Sequence, residues 1–303
     1  MAFAFKQRNG IEGQARKIAL GQISKALEEC GQVELEFDTV VHGLRRHCKK
    51  LRGLVRLIAP HFAESKNEDR AFRDAARGLA GTRDAVVLVE TCNSVLAFDS
   101  KHKSKARIDP AEGAGMVTWL RSRIAAKPDA AERSGMLGNF VVIFEAASER
   151  AGHWPLSGRG FEQIGDGLED TYRRMRHGLA VAEDKLTAEA MHEWRKHVKY
   201  HWHHVGLLRA TAPDVMEHRR TTLDALGEML GDHHNLAVLD DSLDDYDGAD
   251  AKKAVATVRG VIGDLQHRLT RDAFTLGRQL AAEKPGRLRE RFEQYWSLLP
   301  QKD

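Results

Sequence analysis

Two short basic stretches, 150 residues apart, constrain this chain more than any other feature. The first is HGLRRHCKKLRGLVR at 42–56, and the second is HEWRKHVKYHWHHVG at 192–206. Matched positions carry similar side chains at a constant offset: His42 and His192, Arg45 and Arg195, Arg46 and Lys196, His47 and His197, Lys49 and Lys199. This internal repeat predicts a duplicated structural unit.

A second pair of segments supports the duplication. LAGTRDAVVL at 79–88 resembles LGDHHNLAVL at 230–239, at an offset of 151. We therefore expect one domain over 1–303, built from pseudo-symmetric helical halves of four-helix type at 1–151 and 159–303, around a basic groove or pore. The segment GHWPLSGRG at 152–160, with one proline and three glycines, is the predicted join.

The spacing of apolar residues predicts an all-α fold. They recur every three or four positions, and the chain has only seven prolines and four tyrosines among its 303 residues. Helices are predicted near 11–29, 38–59, 66–80, 83–98, 112–126, 130–151, 159–182, 187–210, 214–230, 234–246, 251–283 and 286–299. With 42% hydrophobic residues, the chain can form a substantial core.

The first basic stretch divides into two arcs when it is drawn as a helix of about 100° per residue. One arc is cationic and holds His42, Arg45, Arg46, Lys49, Arg52 and Arg56, with Lys50 at its edge. The other is apolar and holds Val41, Leu44, Cys48, Leu51, Leu54, Val55 and Ile58. In the second stretch, the cationic arc holds His192, Arg195, Lys196, Lys199 and His203. Opposite it lie Trp194, Val198, Val205 and Leu208.

The purity of the first cationic arc points to an anionic ligand. No acidic residue occurs between Asp38 and Glu64, so like charges three and four positions apart repel one another. A bound polyanion would relieve this repulsion, with arginine forks and lysine point charges holding its oxygens. The alternative is an ordinary solvated helix face.

A metal site is an alternative to anion binding because the chain has 15 histidines. HEWRKH at 192–197 resembles a zinc protease motif, but its histidines are five positions apart and do not share a helix face. We expect His47 and His197 to pack between helices instead. Phosphate-loop, dinucleotide-binding and nucleophile-elbow motifs are absent from the sequence, so we predict no cofactor and no enzyme activity. We assign no residue to a metal site, and whether the histidine clusters bind metal stays open at this point.

The cysteines, the N-terminal segment and the lengths of the apolar runs suggest a cytoplasmic protein. Three cysteines, Cys30, Cys48 and Cys92, favour reduced thiols over a disulfide framework. The N-terminal MAFAFKQRNG is unlike a secretory signal, and no apolar run is long enough to span a membrane. The net charge of +3 is small, so the distribution of charge matters more than its sum.

With these motifs in view, the chain resembles the CHAD family, the conserved histidine α-helical domain. The resemblance rests on VHGLRRHCKKLRGLVRL and MHEWRKHVKYHWHHVGLL, on the two matched segments at 79–88 and 230–239, and on TYRRMRHGL at 171–179. It covers nearly the whole chain. It implies a helical bundle with a basic groove or pore that binds inorganic polyphosphate, and an association with polyphosphate granules.

The expected binding residues combine the two cationic arcs with positions carried over from the family. They are His42, Arg45, Arg46, Lys49, Lys50, Arg52, Arg56, Arg83, Tyr172, Arg173, Arg176, His192, Arg195, Lys196, Lys199, His203 and His234. Two positions depart from the family pattern. Trp202 stands where a basic residue matching Arg52 is usual, and Asn235 stands where an aspartate matching Asp84 is usual.

Three functional hypotheses follow. The first is non-catalytic binding of inorganic polyphosphate. The second is nucleic-acid binding, for which Trp194, Tyr200 and Trp202 are the aromatic candidates. The third is a metal-dependent phosphohydrolase, which would need a carboxylate that neither cationic arc supplies.

Overall fold

The chain folds into helices alone wherever its structure is described. The computed structural model describes residues 3–32, 35–79, 83–102, 108–124, 128–248 and 251–301, except the side chains of residues 83–85 and 102. These ranges contain eleven α-helices and no strand, which confirms the all-α prediction. None of the described helices combines the length and apolar character needed to cross a bilayer.

The helices follow one another with short connections. Their bounds are α1 (Ile11–Cys30), α2 (Phe37–Ile58), α3 (Ser65–Gly78), α4 (Arg83–His102), α5 (Pro110–Ser122), α6 (Ala130–Ala151), α7 (Glu162–Lys185), α8 (Ala188–Leu207), α9 (Pro213–Ser242), α10 (Ala251–Leu280) and α11 (Pro285–Ser297). Short 3-10 turns cover Ala59–His61, Arg209–Thr211 and Leu243–Asp245. The basic stretches of the sequence form α2 and α8.

Local side chains fix several helix ends. Asp129 and Glu132 form a reciprocal capping box at the start of α6. The hydroxyl of Thr187 accepts from the backbone N–H of Ala190 and so caps α8 at 3.2 Å. Leu186, which directly follows α7, adopts a left-handed backbone with φ of 52°.

One helix differs from the sequence prediction. The two helices predicted at 214–230 and 234–246 are a single helix, α9, that runs without a break to Ser242. The gap between the two predicted helices covers 231–233 and so includes Gly231. In the structure Gly227 and Gly231 are buried inside the helix, where the lack of a side chain lets α8 approach closely.

Buried apolar residues form two clusters. The larger joins α1, α2, α3, α6, α7, α8 and α11 with the first part of α9 and the last part of α10. The smaller joins α4 and α5 with the other ends of α9 and α10. Helices from both ends of the sequence thus contribute to each cluster, and the division at 151 and 159 stays a prediction.

The apolar arc of α2 packs into the larger cluster. Its predicted members are all buried: Val41, Leu44, Cys48, Leu51, Leu54, Val55 and Ile58. Burying this many side chains on one helix face stabilises α2 by packing, since isolated helices of this length are marginal in water. It also turns the opposite, charged arc outward.

The helices α2 and α8 cross in contact at Gly53. A Cβ atom at Gly53 would lie 2.7 Å from the Cβ of His203, closer than side chains approach. His204 Nε2 lies 3.1 Å from the carbonyl oxygen of Gly53 and donates to it. The crossing therefore needs glycine at this point, and it brings the two basic helices together.

A second close approach gives a test of the packing. A Cβ at Gly167 of α7 would overlap the carbonyl oxygen of Leu57, with its carbon 2.6 Å away. We expect Gly167→Ala to lower the free energy of unfolding by about 3 kcal/mol, because the backbone of α2 must shift. Urea denaturation would measure this change. The control is Gly135→Ala in α6, where no atom lies within 4 Å.

The control substitution should be neutral or stabilising by about 0.5 kcal/mol, since alanine favours helix over glycine. Equal effects of the two substitutions would contradict the proposed contact between α2 and α7.

Candidate functional site

A carboxylate from α3 lies on the basic face of α2. Arg52 donates to both oxygens of Asp69, from Nε to Oδ1 at 3.0 Å and from Nη2 to Oδ2 at 3.3 Å. Arg56 donates from Nη2 to the same Oδ2 at 3.2 Å. One carboxylate thus faces two guanidinium groups, so this part of the face keeps a net positive charge.

The same two arginines also contact α8. The guanidinium of Arg56 lies 4.0 Å from the centre of the Tyr200 ring, and that of Arg52 lies 5.9 Å from it. Two turns earlier in α2, Arg45 donates from Nη1 to the carbonyl of Ala76 in α3 at 3.5 Å. These contacts hold the arginine side of α2 between α3 and α8.

Positive charges from several parts of the chain converge on Lys50. Burial lowers the pKa of Lys50, and four cations lower it further: Arg46, Lys25, Arg220 and Arg209. They belong to α2, α1, α9 and the turn after α8. Because these charges repel the protonated lysine, an anion bound among them would be stabilised.

A histidine on the basic face of α8 packs against a histidine of α9. The rings of His192 and His234 are 4.1 Å apart between centres. Burial lowers the pKa of both, and the charges of Arg195 and Lys196 lower it further. Both imidazoles are therefore neutral near pH 7, and a neighbouring phosphate would favour their protonation.

Two glycines of α9 accommodate the long cations of α8. Arg195 donates from Nε to the carbonyl of Gly227 at 3.3 Å, and a Cβ at Gly231 would lie 3.1 Å from its Nη2. A Cβ at Gly227 would lie 2.7 Å from Cδ of Lys199. The ammonium group of Lys199 pairs with Asp224 at 3.0 Å. The side chains thus extend along α9 rather than into solvent.

Trp202 also lies within this basic region. Lys199 Nζ lies 4.7 Å from the ring of Trp202, and the Arg220 guanidinium lies 4.6 Å from it. In the family pattern a basic residue is usual at the position of Trp202. In the structure Arg220 of α9 brings a cation to that position.

Four of the predicted residues are exposed on the two basic helices. They are His42, Arg46, Lys49 and Lys196. Of these, Lys196 pairs with Glu193 one turn away. Together with the half-buried cations around them, they form the part of the predicted set that a large anion can reach.

Other predicted residues lie inside the protein. Tyr172 is fully buried, and its hydroxyl lies 3.0 Å from the carbonyl oxygen of Leu280 and 2.9 Å from that of Glu283. His203 is packed against Gly53 at the helix crossing, where burial lowers its pKa to about 3. Both side chains pack between helices, and the predicted contact of Tyr172 and His203 with an anion stays a prediction.

The remaining predicted residues belong to α7 and α4. Arg173 of α7 is exposed and pairs with Glu169 and Asp170. Arg176 donates from Nε to the carbonyl of Ala281 at 2.9 Å. The side chain of Arg83 lies outside the described part of the structure, although α4 begins at this residue.

Sequence reasoning missed the residues that neighbouring helices bring to the site. Asp69 and Asp224 supply the carboxylates, and Arg220, Lys25 and Arg209 supply additional cations. The spacing within α2 and α8 carries no information about which residues of α1, α3 and α9 face them. A covariation signal between these helices would have been needed to find them.

Several histidines are buried as neutral groups. His47 lies between Gln22 and Glu29, at 3.2 Å and 3.1 Å, and burial together with nearby cations lowers its pKa to about 4. The contact with Glu29 is therefore a hydrogen bond of a neutral imidazole. Burial lowers the pKa of His204 to about 3. His201 accepts from a guanidinium, and its pKa is well below the ordinary value.

These buried histidines predict that stability falls in mild acid. An unfolded histidine binds a proton near pH 6.5, whereas His47, His201, His203 and His204 do so only at much lower pH when folded. Their contribution is complete above about pH 6.5 and is lost as the pH falls. We expect the free energy of unfolding to drop by about 4 kcal/mol per pH unit between about pH 6 and 5, measured by urea denaturation.

A pair of variants separates this effect from general acid instability. His204→Gln should reduce the slope by about 1.4 kcal/mol per pH unit, which corresponds to one proton. His218→Gln, at an exposed position of α9, should leave the slope unchanged. A free energy of unfolding that stays constant between pH 6 and 5 would contradict the neutral state of the buried histidines.

Comparison with known proteins identifies the family. The family model of the CHAD domain matches residues 18–244, about three quarters of the chain. The match includes both basic helices, the two related segments and α7. No curated protein matches the chain. The chain belongs to the CHAD domain family.

Proposed function

We propose that the chain binds inorganic polyphosphate along the basic faces of α2 and α8 and does not hydrolyse it. The observation that carries the proposal is the contact of the two basic helices at Gly53, near which cations of α1, α2, α9 and the turn after α8 lower the pKa of Lys50. A cluster assembled from four parts of the fold is more specific than the solvated face of one helix. An anion with many charges would relieve the repulsion among these cations most effectively.

The arrangement suits a long, flexible polyanion. The basic groups extend from the His192 and His234 pair, past Lys199, to Lys49 and Lys50 at the crossing. Polyphosphate carries a similar charge at each internal unit, so it needs no fixed register on such a surface. The planar guanidinium group of arginine and the flexible ammonium group of lysine can both donate hydrogen bonds to equivalent phosphate oxygens.

Nucleic-acid binding is less well supported by the aromatic residues. Trp194 is 1% exposed and cannot stack on a base. The rings of Tyr200 and Trp202 lie beside Arg56, Lys199 and Arg220 of the same chain. Because the protein's own cations occupy positions over these rings, base stacking would have to displace them.

The carboxylates on this face favour binding without catalysis. Asp69 pairs with two arginines, Asp224 with Lys199 and Glu193 with Lys196. A carboxylate held by a cation is a weak general base, and hydrolysis also needs an activated water. The proposed role is therefore retention of polyphosphate, which would bring the protein to polyphosphate granules.

A charge-reversal variant tests the proposal. Arg46, Lys49 and Lys196 are exposed, so replacing all three by glutamate should leave the core intact. We expect the affinity for long-chain polyphosphate to fall by about 100-fold or more, at about 1 kcal/mol per lost cationic contact. Fluorescence anisotropy with labelled polyphosphate would measure it, and circular dichroism would verify folding.

The control carries the same change of net charge elsewhere. Lys17, Arg121 and Arg287 are exposed on α1, α5 and α11, and their joint replacement by glutamate should change the affinity by less than about tenfold. Equal losses in the two variants would contradict a local site. Stronger competition by single-stranded DNA than by unlabelled polyphosphate would favour nucleic-acid binding. Shortening of the polyphosphate chains in the presence of Mg²⁺ would overturn the proposal that the protein does not hydrolyse them.

A further inference from the structure

The turn after α2 brings a histidine close to two carboxylates. His61 ends the turn Ala59–His61, and its side chain is only 11% exposed. Its Nε2 lies 3.0 Å from Oδ2 of Asp166 on α7. Glu162 lies one helical turn before Asp166, so the two carboxylates occupy the same side of α7.

These three residues have the spacing of metal ligands. One ligand atom from each of His61, Glu162 and Asp166 lies within 4.8 Å of the others, and within the described ranges no other group meets this condition. Atoms that each bind a cation at about 2.1 Å are about 3.0–3.4 Å apart. The contact between His61 and Asp166 already has this separation. Glu162 is exposed, so its side chain can rotate to complete the set.

Outer groups orient two of the three ligands. The hydroxyl of Ser157 lies 3.5 Å from Nδ1 of His61, which leaves Nε2 for a cation. Arg289 donates from Nε to Oδ1 of Asp166 at 3.1 Å, which leaves Oδ2. Such contacts are typical of ligands held ready for a metal ion.

The local charge balance remains negative beside Arg289. Its guanidinium also lies 3.7 Å from Glu293 and 4.0 Å from Glu169, so its charge is shared among three carboxylates. Glu162 adds a fourth. A divalent cation would therefore reduce the repulsion among acidic groups.

The loop before α7 closes over the same residues. Gly158 has a φ of 75°, a conformation that favours glycine. A Cβ there would lie 2.8 Å from Nδ1 of His61 and 3.5 Å from Cδ of Glu162. The backbone N–H of Ser157 also donates to the carbonyl of His61 at 2.9 Å. The loop thus holds the imidazole in place.

We propose that His61, Glu162 and Asp166 bind one divalent transition-metal cation such as Zn²⁺, with water completing its coordination. His61 Nε2 and Asp166 Oδ2 lie within hydrogen-bonding distance of each other, and the cation would replace this hydrogen bond. One imidazole nitrogen among carboxylate oxygens favours Zn²⁺ over Mg²⁺, which prefers oxygen ligands. The cation would tie the end of α2 to the start of α7. This site is independent of polyphosphate binding.

Calorimetric titration of the full chain with Zn²⁺ tests the site. We expect one Zn²⁺ per chain and a rise in the thermal unfolding temperature, because a ligand of the folded state stabilises it. Glu162→Gln removes one exposed ligand without disturbing the core. It should weaken Zn²⁺ binding by about tenfold or more and remove most of the thermal shift. Mg²⁺ at the same concentration should have little effect.

Matched controls exclude binding to other histidines and acids. Glu290→Gln changes an exposed carboxylate of α11 outside the ligand set and its charge network, and His218→Gln removes an exposed histidine of α9. Both should bind Zn²⁺ like the parent chain. His61→Gln should lose binding, and Glu162→Gln remains the decisive variant if that protein fails to fold. Absence of stoichiometric binding, or unchanged affinity in Glu162→Gln, would overturn the proposal.

Discussion

The contact between α2 and α8 at Gly53 determines where the charges of the candidate site lie. Because Gly53 has no side chain, His203 packs against the backbone of α2, and His204 donates to its carbonyl. Two helices that each carry a basic face are thereby fixed side by side. A larger residue at Gly53 would separate them, and the cations on the two helices would no longer act on the same ligand.

Bringing so many cations together has an energetic cost that the fold offsets only in part. Asp69 and Asp224 each neutralise charge, and Tyr200 and Trp202 offer ring faces to arginine and lysine. Around Lys50, burial and the neighbouring positive charges instead lower the pKa of the lysine. Repulsion retained at one place on the surface is typical of a binding site, where a ligand restores the balance.

Much of the fold could be predicted from the sequence because it depends on local spacing. The apolar arc of α2 identified buried residues correctly, including Cys48 and Leu51. The break predicted near Gly231 was wrong, since local patterns cannot separate a glycine that ends a helix from one that admits a neighbour. The same limit applies to Asp69 and to His61, whose partners lie on other helices.

The dependence of polyphosphate affinity on salt concentration tests the central claim most directly. If about six cations of α2, α8 and their neighbours contact the chain together, the logarithm of the association constant should fall with the logarithm of salt concentration with a slope of about −4. Fluorescence anisotropy between about 0.05 and 0.3 M salt would measure the slope. A slope between zero and about −1 would mean that at most one or two charges are involved, and would contradict a shared basic face as the binding site.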